Sequence, residues 1–374
     1  MDILVIGNGF DLAHDLRTTY KDFLERCRKK SLDDILCKNN TYTKLCKSNL
    51  WLKHFIKRQE QLGNTWIDLE DEIFRVIQFL KEFPAAKGSG STKYMCPQLL
   101  TLYQDDNNFS FFNIGNYSIS CNNPQTGLKE YLVENGNNSL YVYIKSPKGF
   151  IDLLYDQLRE FTQCFETYLI QDVLSNISDE SIYRLSLQAI GIQPQDKNVF
   201  VLSFNYTNTC EKLYKQKFNT YCNLKIKPIY VHGQVCNSKN CNLILGTQSF
   251  DNKDIPVNFN VFRKHNQRHR YGTIEAYQDF LMILTNPQMN VRPIFHIIGH
   301  SLDKTDHNIL KHVFLANKNA IINVYYHDEE AQERLINNIT EIIGEEEVMA
   351  KVRLIYQHDK KRGILRYKNK VTAI

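Results

Sequence analysis

The chain opens MDILVIGNGFDLAHDLRTTY, residues 1–20. DILVIGNGF reads as a buried strand that ends in a glycine turn, and LRTTYKDFLERCRKK after it reads as an amphipathic helix with Tyr20, Phe23, Leu24 and Cys27 on one face. A continuous apolar run followed by Gly-x-Gly and a helix is the first half of a βαβ unit. Gly7 and Gly9 let the backbone turn sharply and approach a ligand closely, and the helix behind them aims unpaired N–H groups at an anion. Leu12 stands where a dinucleotide-binding turn carries its third glycine, so on this stretch alone a purely structural turn and a nucleotide loop weigh equally. Asp11 places a carboxylate where an anion would be repelled, and capping of the helix is its simplest role.

Further along, NVFVLSFNYTNT, IKPIYVHGQV, LILGTQ, RPIFHIIGHSL and AIINVYYHD read as holding strands of three to seven mostly apolar residues, several stopping at a polar cluster. Helical patterns lie between some of them, in TNTCEKLYKQKF, TIEAYQDFLMILTN and KTDHNILKHVFLANK. Alternating apolar strands and helices predict an α/β fold, a Rossmann-like parallel sheet with helices on both faces. The core is expected at 1–30 and 151–374. Residues 31–150 form an insertion after the first βα unit, helical to about residue 80 and partly β in the variable Asn/Ser/Tyr-rich tract 84–150. Its strongest helix is TWIDLEDEIFRVIQFLKEF, with Trp66, Leu69, Ile73, Val76, Ile77 and Leu80 in one stripe and an acidic face expected in solvent. FIDLLYDQLREFTQCFETYLIQDV is a second long amphipathic helix.

Composition bounds the function. The net charge of +5, from 46 basic and 41 acidic residues, is too mild for a dedicated nucleic-acid binder. The basic run FRKHNQRHRY is read as an exposed segment in which Arg263 and Arg268 could reach a phosphate. No window approaches the roughly 18 consecutive apolar residues of a membrane span, and no signal-peptide pattern precedes the first strand, so a cytoplasmic protein is expected. The ten cysteines include no C-x-x-C pair, which favours reduced thiols. His232, Cys236 and Cys241 supply only three ligands with a wide Cys spacing, so a turn is expected there in place of a metal site.

Ligands of such sheets sit beyond the carboxyl ends of the strands, where the polar clusters fall. SFNYTNT presents Asn205, Tyr206 and Thr207; YVHGQV presents His232 and Gly233; IIGHSLDKTD presents Gly299, Ser301, Asp303 and Asp306. An Asn amide offers donor and acceptor together, and a histidine facing a cleft is a proton acceptor near neutrality.

Taken together, ILVIGNGFDLAH, TWIDLEDEI, SFNYTNTCEKLY, YVHGQV, LILG and IIGHSLDKTDHNIL resemble the bacteriophage abortive-infection AbiH family, from the first strand to about Asp328. The order GNGFD, FNYTN, VHG, GHSLDKTD also resembles, more remotely, the sirtuin-like NAD-hydrolysing domains of bacterial antiphage defence. Those carry G-A-G-F-S, and here Asp11 replaces the serine; the zinc-ribbon pairs of true sirtuins are absent, which argues against protein deacylation. The resemblance implies a sirtuin-like core and NAD as substrate or ligand, without a metal. Asn205 would hold ribose or the attacking water and His232 would accept a proton. Gly7, Asn8, Gly9, Phe10 and Asp11, with Tyr206, Thr207 and Gly233, would surround the nucleotide, and Gly299, Ser301 and Asp303 or Asp306 the adenosine side. A homo-oligomer and a phage-derived trigger are admitted as partners. A nucleotide-sensing defence module without turnover, and an RNA-cleaving toxin using His232 and His307, are the alternative readings.

Overall fold

The computed structural model describes residues 1–29, 49–63, 67–81, 132–134, 139–141, 147–177, 192, 199–213, 228–236, 241–247, 257–286 and 292–356. The chain divides into two compact units, one made of Met1–Thr19, Tyr168–Ile244 and Arg268–Ile374, the other of Tyr20–Thr167 and Leu245–Gln267.

The first unit holds strands β1 (Asp2–Ile6), β4 (Val199–Ser203), β5 (Ile229–Tyr230), β6 (Ile294–Ile298), β7 (Ile321–Tyr326) and β8 (Val352–Tyr356). They form one six-stranded sheet in the order β5-β4-β1-β6-β7-β8, parallel throughout. Counted by position in the chain, the order runs 3-2-1-4-5-6, so the doubly wound sheet reverses direction between β1 and β6. The alternation along β1 shows why both faces are closed. Ile3 and Val5 enter a core with Tyr277 and Phe280 of one helix and Leu310 and Val313 of another, whereas Leu4 and Ile6 pack with Phe10, Ala13, Cys210 and Leu213. Strands buried on both faces read as continuous apolar runs, which is how they were legible in the sequence.

Helix α1 (Asn8–Ala13) follows β1 directly. The second unit contains α2 (Tyr20–Lys29), α3 (Leu50–Gln61), α4 (Leu69–Lys81), the short antiparallel pair β2 (Leu132–Glu134) and β3 (Ser139–Tyr141), and α5 (Pro147–Tyr168). Its aromatic core joins Phe23 to Phe161 and Phe165, and Trp51 to Phe55 and Phe262. These contacts explain why α2, most of α5 and the segment Leu245–Gln267 group with the insertion, although the sequence division at 30 and 150 assigns them to the core. Leu69, Ile73, Val76 and Ile77 are buried as the stripe predicts; Trp66 lies outside the described residues.

In the remaining chain, α6 (Lys264–Arg270), α7 (Ile274–Thr285), α8 (His307–Leu315), α9 (Glu329–Ile343) and α10 (Glu345–Lys351) complete the helices used below. Four expectations are corrected. LILG is not a sheet strand: among the described residues, the only pairing near it is an isolated bridge from Thr247 to Arg263. The acidic face of α4 is solvated only in part: Asp71 is exposed, whereas Glu72 is buried against His54 and Arg58, and half-buried Glu70 meets buried Lys264 at 2.6 Å. The basic run is not an open patch: Lys264, Gln267 and Arg268 are buried and Arg268 Nε donates to Val231 O, leaving His265, His269 and Arg270 exposed. Cys27, Cys210, Cys236 and Cys241 are free thiols, whereas Cys164 is disulfide-bonded. Among the described residues no helix is long and apolar enough to cross a membrane.

Candidate functional site

Parallel register brings the polar clusters to one sheet edge. Ile6 lies opposite Ser203 and Ile298, and Ser203 lies opposite Tyr230. The pairing continues one step past the strands, because Phe204 N–H donates to Ile6 O at 2.9 Å and Val231 N–H to Ser203 O at 2.9 Å. Gly7, Asn205, His232 and Gly299 therefore all stand at the carboxyl ends of adjacent strands, beside the point where the strand order reverses.

The glycines at this edge serve the protein's own backbone. Gly9 N–H donates to Gly299 O at 2.7 Å. A Cβ on Gly9 would meet Gly299 Cα at 2.8 Å, and one on Gly7 would meet His300 Cα at 2.7 Å. Gly299 has φ +65, a left-handed conformation, and its own Cβ would lie 2.2 Å from Phe10 N. The two glycine turns thus need their small residues to pack on each other. Helix α1 is only six residues long with Gly7 at its N-cap, and no side chain caps it.

Asp11 sits inside that helix and does not cap it, contrary to the simplest sequence reading. Its carboxylate is buried, with Oδ2 accepting from the Thr207 hydroxyl at 2.5 Å, and the Thr209 hydroxyl donates in turn to Thr207 at 3.0 Å. Burial pushes the Asp11 carboxyl up from 3.8 to about 6, against the opposing pull of hydrogen bonds from Thr207, Thr209 and Asn205. The carboxylate can accept from Asn205 only through the amide Nδ2, which leaves Asn205 Oδ1 as the acceptor for anything else. This contact is loose: Asp11 Oδ1 and Asn205 Nδ2, both buried, lie outside hydrogen-bonding geometry among the described residues. Asp11 therefore joins the end of β1 to the end of β4 and faces inward.

His232 follows β5, and Gly233 behind it has φ +81 with no room for a Cβ against Asn242 O. His232 Nε2 lies 2.8 Å from Asp306 Oδ1. Asp306 Oδ2 faces His300 Nε2 at 3.6 Å, and His300 packs edge-on against Phe204 at 4.3 Å between centroids. The Tyr206 and Phe204 rings lie 6.2 and 5.6 Å from that of His232. An imidazole that gives Nε2–H to a carboxylate keeps its lone pair on Nδ1, so the pair is a base with an orienting acid.

The predicted residues thus separate into two groups. Asp11, Asn205 and Thr207 form one polar cluster, and His232 with Asp306 another. Phe10 is buried in the sheet core, its ring tilted by 45° against that of His14 at 4.6 Å between centroids; Asn8 is exposed and accepts from the Thr18 hydroxyl at 2.6 Å. Asp303 accepts from Thr305 N–H and caps a turn, and exposed Ser301 accepts through its carbonyl from Asn338 Nδ2. His307, a candidate in the toxin reading, engages Leu302 O through Nε2. Two residues escaped the sequence reading. His300, one position past the glycine of a strand end, was the legible signal; Glu211, which accepts from Tyr230 OH at 2.8 Å and Gln234 Nε2 at 3.1 Å, had none. Among the described residues no group of His, Cys, Asp and Glu has metal-holding geometry.

No curated protein matches the chain. Residues 3–327 match a family model described as bacteriophage abortive infection AbiH.

Proposed function

The chain belongs to the bacteriophage abortive-infection AbiH family, and on that premise we propose that it acts in antiphage defence as a sirtuin-like NAD hydrolase whose reaction runs at the carboxyl edge of its parallel sheet. The observation that carries the reading is the His232–Asp306 pair at 2.8 Å, on the same sheet edge as the cluster that holds Asn205.

The reaction joins water to C1′ of the nicotinamide ribose and breaks the bond from C1′ to the ring nitrogen. NAD⁺ and water give ADP-ribose, nicotinamide and a proton. The leaving ring takes the bonding electron pair and becomes neutral, and positive charge builds on the sugar. His232 Nδ1 takes the proton from water or from a ribose hydroxyl, with the imidazolium stabilised by Asp306. Asn205 Oδ1 holds the hydroxyl or the water in line. The acids at this edge, Asp306 and Glu211, suit a cationic ring and a cationic transition state better than a bare phosphate. The nuclease alternative draws no support from the basic run, whose Lys264 and Arg268 are buried.

The test is incubation of the full chain with NAD, alone and with extract of phage-infected cells, followed by chromatography. Nicotinamide and ADP-ribose are expected from the wild type, and their rate of release falls about 10²–10⁴-fold in His232→Ala. Equal release from both proteins overturns the mechanism. Saturable ADP-ribose binding with no release under either condition replaces turnover with nucleotide sensing.

A further inference from the structure

The hydroxyl chain behind Asp11 runs in one direction. A carboxylate only accepts, so Thr207 Oγ1 donates to Asp11 Oδ2 at 2.5 Å, and Thr209 Oγ1 donates in turn to Thr207 at 3.0 Å. Outside this cluster the Thr209 hydroxyl has no further partner among the described residues, so reversing the chain would strand its proton. Asp11 Oδ2 is thus taken as an acceptor. The oxygen left to carry a proton is Oδ1, on the side of Asn205.

Only the main chain of Asn205 is firmly held. Ser203 Oγ accepts from Asn205 N–H at 3.2 Å and donates to Asn205 O at 3.4 Å, but among the described residues nothing besides Asp11 engages the side-chain amide. Asn205 Nδ2 and Asp11 Oδ1 are both buried, and their contact falls short of hydrogen-bond geometry. An ionised Asp11 calls for the donor end of the amide, whereas a carboxylic acid with its proton on Oδ1 calls for the acceptor end. The two ends are alike in shape and exchange by a half-turn about the last bond of the side chain, so the exchange needs no repacking.

We propose that Asp11 is a positioning residue whose charge decides which end of the Asn205 amide is turned away from it toward the sheet edge: Oδ1, an acceptor, when Asp11 is ionised, and Nδ2, a donor, when it is protonated. The exchange falls near neutrality, because burial pushes the Asp11 carboxyl up to about 6. Burial is also the first cause that pushes up the Cys210 thiol, to about 12, and the Tyr230 and Tyr325 phenols, so none of these three groups ionises in that range. Of the other titratable groups nearby, Glu211 is tied to Tyr230 and Gln234, and His14 of α1 gives Nδ1–H to Phe10 O at 2.7 Å. That Asn205 Oδ1 holds ribose or water rests on the proposed hydrolysis; the reversal of the amide does not.

In the full chain labelled with ¹⁵N in asparagine, the side-chain signals of Asn205 are the pair lost in Asn205→Ala. The expected wild-type result is one amide proton far downfield at about pH 8, where Nδ2 meets the carboxylate. It moves upfield as the pH falls to about 5, with its midpoint at about 6. In Asp11→Asn the introduced N–H favours the reversed amide, and the signals keep the acid position at every pH. Thr207→Val removes a donor that stabilises the carboxylate, so its midpoint lies above that of the wild type. With NAD turnover as a second readout, Asp11→Asn is slower by about 10²-fold at about pH 7.5, the loss that follows a misplaced positioning group. Asn205 signals that stay in place in the wild type, or that still move in Asp11→Asn, overturn the proposal, as does a Thr207→Val midpoint below that of the wild type. Absence of NAD turnover, with the amide behaving as described, removes the hydrolase reading alone.

Discussion

Replacing Asp11 by Asn changes how the stability of the sheet unit depends on pH. The carboxyl is buried and its value in the folded chain rises from 3.8 to about 6, with burial the dominant cause. At about 1.4 kcal/mol per pH unit, this difference is worth about 3 kcal/mol. The sign follows from the direction of the shift. A carboxyl whose folded value is raised favours the folded state in its protonated form, so its contribution is complete below about pH 4 and is lost as pH rises through about 6. Near pH 7.5 the ionised Asp11 is a net burden on the fold. The amide introduced by Asp11→Asn cannot ionise and keeps an oxygen for the Thr207 hydroxyl, but it brings an N–H toward that of Asn205, at a cost of about 1–3 kcal/mol. The absolute stability of the variant is therefore close to that of the wild type at neutral pH. The readout is instead the difference between the two proteins, variant minus wild type, which grows by about 3 kcal/mol from about pH 3.5 to 7. Urea titrations followed by hydrogen exchange of peptides covering β1 and β4 measure it, since neither of the two tryptophans belongs to the sheet unit. A difference flat to within about 1 kcal/mol, or one that shrinks as pH rises, would refute the reasoning.

Gly299→Ala is expected to cost more than about 3 kcal/mol or to prevent folding, because its Cβ falls 2.2 Å from Phe10 N, whereas Gly272→Ala, with φ +69 and nothing within 4 Å, costs about 1 kcal/mol; thermal melts compare them. Lys264→Met removes the buried cation that meets half-buried Glu70 at 2.6 Å and destabilises the helical unit by about 1–3 kcal/mol, read by Trp fluorescence, and adding Glu70→Leu recovers part of the loss. Asp306→Asn lowers nicotinamide release about 10²–10⁴-fold while the far-UV circular dichroism is unchanged, because the base loses the partner that fixes its tautomer.

Local chemistry made much of this protein readable from its residues. Strands buried on both faces must be apolar throughout, so β1, β4, β6 and β7 stood out as runs, and amphipathic stripes marked α2, α4 and α5. Each polar cluster followed such a run, and a parallel sheet puts all those ends on one edge whatever the order of its strands. The order itself was not legible, because strand neighbours are chosen by packing between segments far apart in the chain. For the same reason LILG, apolar enough for a strand, is buried without joining the sheet, and β8, at the sheet's end with none of its residues fully buried, went unassigned.

The roles of single residues divided along the same line. That His232 stands before a glycine at a strand end is a fact of sequence; that its partner is Asp306, seventy-four positions away, is decided by the loop after β6 folding back over the edge. The glycines of GNGFD announced a close approach, but only tertiary structure shows the neighbour to be Gly299 and His300. Glu72, Lys264 and Arg268 read as solvent or ligand groups, since an isolated charge is cheapest in water, and Asp11 read as a helix cap. Each is instead held in the interior by a partner contributed from another part of the chain, and partner identity is the one property that a local pattern of polarity does not contain.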